Sequence, residues 1–185
     1  VEALGSVTVI CTDKTGTLTR NEMSVQRVST SEHLFEVSGM GYGPEGGIHL
    51  DGQRIDPKEY GVLSELALAG LLCNDALVRE GEEGWHLQGD PTEASLCTFA
   101  MKAQLQAEQE SKRAPRRSVI PFGAEHRFMA TQHDSAIYLK GAPEAVLSRC
   151  SRQRTGAGDR AIDRPYWEAR NEALARDGLR VLALA

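Results

Sequence analysis

The chain has 185 residues, 41% of them hydrophobic and 25% charged, with a formal net charge of −5. Values this close to the globular average exclude wholesale disorder and allow a core of ordinary size. The acidic balance excludes a nucleic acid as the main partner, because neutralising a phosphate backbone takes clustered Lys and Arg.

The longest mostly apolar stretch, Leu66 to Cys73, falls far short of the roughly 18 to 20 residues of a membrane span, so a soluble piece is expected. Val1 to Val9 has neither the basic start nor the apolar core of a signal peptide and reads as a cut through a longer protein. Cys11, Cys73, Cys97 and Cys150 are widely spaced without a CxxC pair, which points to reduced thiols rather than disulfides or structural zinc.

In chain order, Val7 to Cys11 is a β-rich run without polar alternation, as expected of a strand buried on both faces of a parallel sheet. It places Asp13 at the strand's C-terminal end, where open α/β sheets carry their chemistry. Ser24 to Thr30 and His33 to Val37 read as strands, with a Gly-rich loop and hairpin from Gly39 to Gly52. Asp56-Pro57-Lys58-Glu59 has the grammar of a helix start, and the helix is predicted to run to about Val78. After a turn at Gly81 to Gly84 and a strand at Trp85 to Gln88, Asp90-Pro91-Thr92-Glu93 repeats that grammar, predicting a second helix to about Glu110.

Lys112 to Arg117 reads as a basic connector into an antiparallel meander near Ser118 to Phe122, Arg127 to Gln132 and Ala136 to Lys140. Pro143 opens a helix towards Cys150, and a polar loop with Gly156 and Gly158 follows. Asp163-Arg164-Pro165 starts a helix that Gly178 stops, and Leu179 to Ala185 reads as a strand. This succession predicts an α+β main domain, an antiparallel twisted sheet flanked by helices, preceded by one strand of a different α/β domain.

The strongest chemical signal is Asp13-Lys14-Thr15-Gly16-Thr17, inside the run Thr12 to Thr19 and followed by Asn21-Glu22-Met23. A strand-end carboxylate before a tight, hydroxyl-rich loop can attack a phosphoryl group while Lys14 and backbone N–H groups stabilise the transferred charge. The same five residues alone also fit a polar turn; the full run with its apolar strand is more specific.

At these residues the sequence resembles the P-type ATPases, whose signature is the DKTGTLT run, with a TVICTD strand and NEM tail typical of type II cation pumps. The resemblance implies that Asp13 is phosphorylated by ATP, that Lys14 and Thr15 contact the transferred phosphate, and that Mg2+ is held by Asp13 and the Thr15 carbonyl. It also implies two domains: residues 1–22 as the start of a haloacid-dehalogenase-like phosphorylation domain, and residues 23–185 as a nucleotide-binding domain lacking its last strand. Many phosphatases of that wider superfamily carry an acid/base Asp where Thr15 stands, and a hydroxyl is a poor proton shuttle near neutral pH, so a long-lived aspartyl phosphate is expected.

Further segments carry the resemblance along the chain. Gly89 to Leu96 is similar to the family's GDPTE segment, which implies that Glu93 lies beside adenine, although Glu93 also fits a capping box. Pro121-Phe122 with Arg127 and Met129 resembles a segment whose Phe stacks on adenine, a contact worth roughly 1–3 kcal/mol per base. Arg127 replaces the usual Lys, and Gly123-Ala124 replace more polar residues. Lys140-Gly141-Ala142-Pro143-Glu144 matches KGAPE, in which Gly141 permits close backbone approach and Lys140 supplies a positive charge at the pocket mouth. Asp177 to Ala185 resembles the strand whose Arg, here Arg180, points at the nucleotide phosphates.

Two patterns are weighed and set aside. Gly41 to Gly46 fits GxGxxG formally but opens no helix and reads as a loop. Ser31-Glu32-His33 is similar to an adenine motif of heavy-metal pumps but lacks its Pro and comes too soon after Asp13, so His33 reads as a strand-surface residue.

The reading is therefore the ATP-binding portion, on the cytoplasmic face, of a membrane cation pump that passes the γ-phosphate of Mg·ATP to Asp13. Its partners are ATP, the transported cation, and the phosphorylation, actuator and membrane domains of the parent. The alternatives are a haloacid-dehalogenase phosphatase and a nucleotide-sensing module without chemistry.

Overall fold

A computed structural model describes residues 22–82 and 84–185. The predicted strand Val7 to Cys11 and the motif residues Asp13, Lys14 and Thr15 lie outside the described residues, as does nearly all of the predicted first domain.

Strict alternation builds the first sheet. β1 (Arg27–Ser29), β2 (Leu34–Ser38), β3 (Gly47–Leu50) and β4 (Gln53–Arg54) pair antiparallel in chain order. In β2, Phe35 and Val37 are buried and Glu36 is exposed, and the register sets Phe35 opposite Val28 and Val37 opposite Ile48. Four apolar side chains thus share one face. Leu63 and Ala67 of α1 (Gly61–Leu72) and Phe99 of α2 (Pro91–Lys102), with Ala103 just after it, close that face into the main core. His33 precedes β2 and is half-buried, its ring edge-on to Phe35 and Tyr60 with centroids 5.6 Å away in each case, so it belongs to an aromatic cluster rather than to a strand surface. The glycine-rich stretch after β2 is a loop, pinned by Lys102 Nζ donating to Ser38 O (2.7 Å) and by Thr98 Oγ1 donating to Tyr42 O (3.1 Å).

Both long helices end sooner than the sequence predicts. Asp56 caps a 3-10 turn at Pro57–Glu59 before α1 begins, and α1 stops at Leu72. Asn74 Nδ2 donates to Gly70 O (3.0 Å) while its Oδ1 accepts from Ala76 N (2.8 Å), which turns the chain into the hairpin β5 (Leu77–Gly81) and β6 (Gly84–Gln88). At the end of α2, Leu105 N donates to Ala100 O and Gln104 N to Met101 O, both at 2.9 Å, with Gln104 at φ 64°. That is a Schellman stop with glutamine in the left-handed position usually held by Gly, and Leu105 packs on the core beyond it. The rest of the predicted second helix becomes α3 (Ala107–Arg113).

The second sheet has the order β12-β9-β8-β7, antiparallel throughout, from β7 (Ser118–Ile120), β8 (Phe128–Gln132), β9 (Ile137–Gly141) and β12 (Ala183–Leu184). The predicted meander forms, while the last strand is shorter than Leu179 to Ala185. In β8 every residue but Gln132 is buried. The end of α1 is fastened to it: Cys73 Sγ donates to Met129 O (3.5 Å) and Thr131 Oγ1 to Leu72 O (3.3 Å). α4 (Pro143–Leu147) follows β9. The polar segment with Gly156 and Gly158 is a hairpin, β10 (Arg152–Thr155) with β11 (Gly158–Ala161), not a loop. α5 (Arg164–Arg176) starts at the Asp163 cap and stops with Gly178 at φ 77°. No helix among the described residues is long and apolar enough to cross a membrane.

Candidate functional site

Antiparallel register gathers the predicted binding residues at one end of the second sheet. Phe128 stands opposite Gly141, Met129 opposite Lys140 and Ile120 opposite Ala130. The end of β7, the start of β8 and the end of β9 therefore meet, carrying Phe122, Arg127, and Lys140 with Gly141. Arg127 is not a strand residue; it sits at φ 58°, accepting through its carbonyl from Ala142 N (2.9 Å). Gly141 is required there, since a Cβ would lie 2.4 Å from that same carbonyl oxygen and 2.7 Å from Phe128 Cα. The Arg127 guanidinium pairs with Glu144 Oε1 at 2.5 Å.

The N-terminus of α2 joins this end. Asp90 caps it, its carboxylate accepting from Thr92 N (2.8 Å) and Glu93 N (3.3 Å). Glu93 does not reach back to complete a capping box. Its Oε1 accepts from Lys140 Nζ at 2.6 Å and its Oε2 from Asp75 N at 3.1 Å. The Lys140 side chain keeps 8% of its accessible surface and that of Glu93 keeps 19%, so two charges 47 residues apart form an ion pair mostly removed from water. Such a pair tolerates poorly the loss of one partner, which would leave a bare buried charge. Asn74, which the sequence reading passed over, adds a bond from Nδ2 to Glu93 O (2.9 Å); an Asn just past a helix end was the available signal.

Two thiols lie near the pair. Burial pushes Cys73 up, and pushes Cys97 up from 9.0 to about 11, against the opposing pull of the Lys140 charge. Both stay protonated near neutral pH and are poor nucleophiles. Phe122 is 64% exposed, and its sequence neighbours Val119 and Ile120 of the edge strand are exposed too, in contrast to the buried pair. Its ring is left in water just past a strand end, whereas Phe35 and Phe99 are buried.

Arg180 stands apart. It precedes β12, across β9 from β8 and β7, and lines a groove of about 710 Å3 with Leu66, Leu174 and Leu182. Glu93, Lys140 and Phe122 contribute no wall to that groove. No group of three His, Cys, Asp or Glu able to hold a metal ion occurs among the described residues.

Comparison with known proteins assigns the chain to a family. Residues 62–185 match the family described as P-type ATPase, cytoplasmic domain N. Over its whole length the chain is 43% identical to the Cation-transporting ATPase pma1 of Synechocystis and 37% identical to the Calcium-transporting ATPase type 2C member 1 of Bos taurus. It spans 21% and 20% of those relatives' lengths. The matched span runs from α1 through both segments of the ion pair to β12, and with relatives this similar from end to end, the chain belongs to the P-type ATPases and contains their cytoplasmic domain N.

Proposed function

We propose that this chain is the ATP-binding part of a membrane cation pump, and that in the complete protein it delivers the γ-phosphate to Asp13. One observation carries the reading: the Glu93–Lys140 ion pair joins the GDPTE helix start to the KGAPE strand end, at the end of the sheet where β7 leads into the exposed Phe122. In this arrangement adenine stacks on Phe122, the ion pair presents fixed charges at the base's edge, and Arg127 stands at the sheet end as a cation for the polyphosphate. Arg180, on the far flank, meets the phosphates only after the nucleotide extends beyond β9.

Phosphoryl transfer has a simple balance. A carboxylate oxygen of Asp13 bonds to the γ-phosphorus, the bond from that phosphorus to the β,γ-bridging oxygen breaks, and ADP leaves with the electron pair. Magnesium would neutralise phosphate charge during this step. Its assigned holders, Asp13 and the Thr15 carbonyl, lie outside the described residues, whereas the stacking ring and the charged pair suit the base and sugar.

One stack and a few partly exposed charges must offset the cost of immobilising a flexible ligand, so the 185-residue chain is expected to bind ATP with a Kd from roughly 0.1 to several mM and to hydrolyse none. A chemical-shift titration with a phosphate-release assay tests this. Phe122→Ala should weaken binding about tenfold. Micromolar affinity unchanged by Phe122→Ala would place the nucleotide elsewhere. For Asp13 the test is acid-stable, hydroxylamine-sensitive labelling of the full-length protein by ATP; labelling that survives Asp13→Asn would sink the assignment.

A further inference from the structure

The loop from Pro121 to Arg127, which carries Phe122, is closed by a residue that the resemblance does not single out. The His126 ring faces an acceptor on each side: Nε2 is 3.1 Å from Pro121 O, and Nδ1 is 3.1 Å from Glu125 Oε1. The same ring lies edge-on to Phe128 with centroids 4.6 Å apart. Gly123 folds against it so closely that a Cβ there would stand 2.4 Å from His126 Cε1. Arg127 N donates to Gly123 O (2.7 Å), closing the loop a second time before the chain enters β8. Phe122 itself is mostly exposed.

We propose that His126 is a positioning residue: bonded to Pro121 O and Glu125, it latches the 121–127 loop so that the Phe122 ring stands ready for adenine, and the latch is tightest when the imidazole is protonated. The inference rests on Phe122 as the adenine-stacking residue. A carbonyl and a carboxylate both need a donor, and only an imidazolium supplies an N–H to each. A neutral ring keeps Nε2–H on Pro121 O and turns the Nδ1 lone pair towards the Glu125 carboxylate, which weakens the latch without abolishing it.

The surroundings of the ring set the balance. The Glu125 carboxylate and the Pro121 carbonyl face the ring, and the Arg149 guanidinium stands 4.3 Å from the centroid of the neighbouring Phe128 ring. Arg127, next in the chain, is neutralised by Glu144. A backbone N–H of its own and the neighbouring His126 hold the Glu125 carboxyl below its usual range, so it is an acceptor throughout the span in which imidazoles titrate.

Adenosine is the probe, since it carries no phosphate that ionises in this span. Its affinity for the 185-residue chain, measured by chemical-shift titration from about pH 5.5 to about pH 8, should fall about threefold as pH rises. His126→Ala should bind about three- to tenfold more weakly at the acidic end and show no pH dependence. Glu125→Gln is the discriminating variant. Its amide donates to a neutral ring and accepts from a charged one, so affinity should stay near the acidic wild-type value at every pH. The amide shifts of Phe122 and Gly123 should differ between the two ends of that pH range in the wild type and not in His126→Ala. If Phe122→Ala weakens binding but His126→Ala does not, or the pH profile persists in both His126→Ala and Glu125→Gln, the latch is wrong while the nucleotide reading stands. If Phe122→Ala leaves adenosine binding unchanged, both fall together.

Discussion

The sheet β1–β4 turns Val28, Phe35, Val37 and Ile48 inward, whereas the buried positions of the sheet β12-β9-β8-β7 include Met129, Ala130, Thr131 and Lys140. Each sheet buries an aromatic side chain, Phe35 fully in the first and Phe128 in the second, but the second also leaves Phe122, beyond the end of its edge strand, 64% exposed. Area removed from water stabilises the first region, and directed polar bonds define the second: Thr131 to Leu72, Cys73 to Met129, Lys140 to Glu93. The difference teaches where function is affordable. With the apolar sheet packed on α1 and α2, the start of α2 can hold the Glu93 carboxylate against Lys140 of the second sheet.

The comparison breaks if the two sheets respond alike to truncation. Phe35→Ala should cost about 3–5 kcal/mol in urea unfolding, the full penalty of emptying a close-packed site. Phe122→Ala should stay within about 0.5 kcal/mol of wild type while losing nucleotide affinity. Equal losses would make Phe122 a core residue.

Next in size is the buried pair. Lys140→Met strands the Glu93 carboxylate and should cost about 3 kcal/mol, and adding Glu93→Gln should recover much of it, because a neutral amide still accepts from Asp75 N. A double variant no better than the single would show that the pair is not coupled.

A smaller effect appears in alkali. The Cys97 thiol is raised from 9.0 to about 11 by burial, so the folded chain holds its proton more tightly than the unfolded one. Its contribution is intact below pH 9.0 and is lost as pH rises through about 11, up to about 3 kcal/mol. Urea midpoints from about pH 8 to about pH 10.5 should fall less steeply in Cys97→Ala. Cys73 shifts in the same direction for the same reason, so the slope should flatten rather than vanish.

The smallest expected effect is on the surface of the second sheet. Arg117 and Asp134 form a short pair, 2.5 Å between Nε and Oδ1, with both side chains 59% exposed. The hydrogen bond from Arg117 lowers the Asp134 pKa, yet water and salt compete for both groups. Arg117→Ala should leave the unfolding midpoint unchanged within error, and a clear shift would mean that this edge is more ordered than its exposure implies.

What the sequence determined by itself is whatever is settled within three or four residues. Asp90 and Asp163 accept from N–H groups two or three positions on, and Gly178 takes the left-handed φ that ends α5, so caps and stops could be read directly. The alternation of β2 and the meander were legible for the same reason. Tertiary structure decided the rest. Gln104 accepts a glycine's conformation because Leu105 is drawn into the core beyond it, a gain that no local preference records. Glu93 had a local role open to it in a capping box, but the arrival of Lys140 on β9 turned its carboxylate away from its own helix end. His126 drew no reading from the sequence, since only the fold of its loop brings Pro121 O and Glu125 to its two ring nitrogens. Local hydrogen bonds are encoded by neighbours in the chain; a contact 47 residues long depends on which strands and helices meet, and that is fixed only when the core closes.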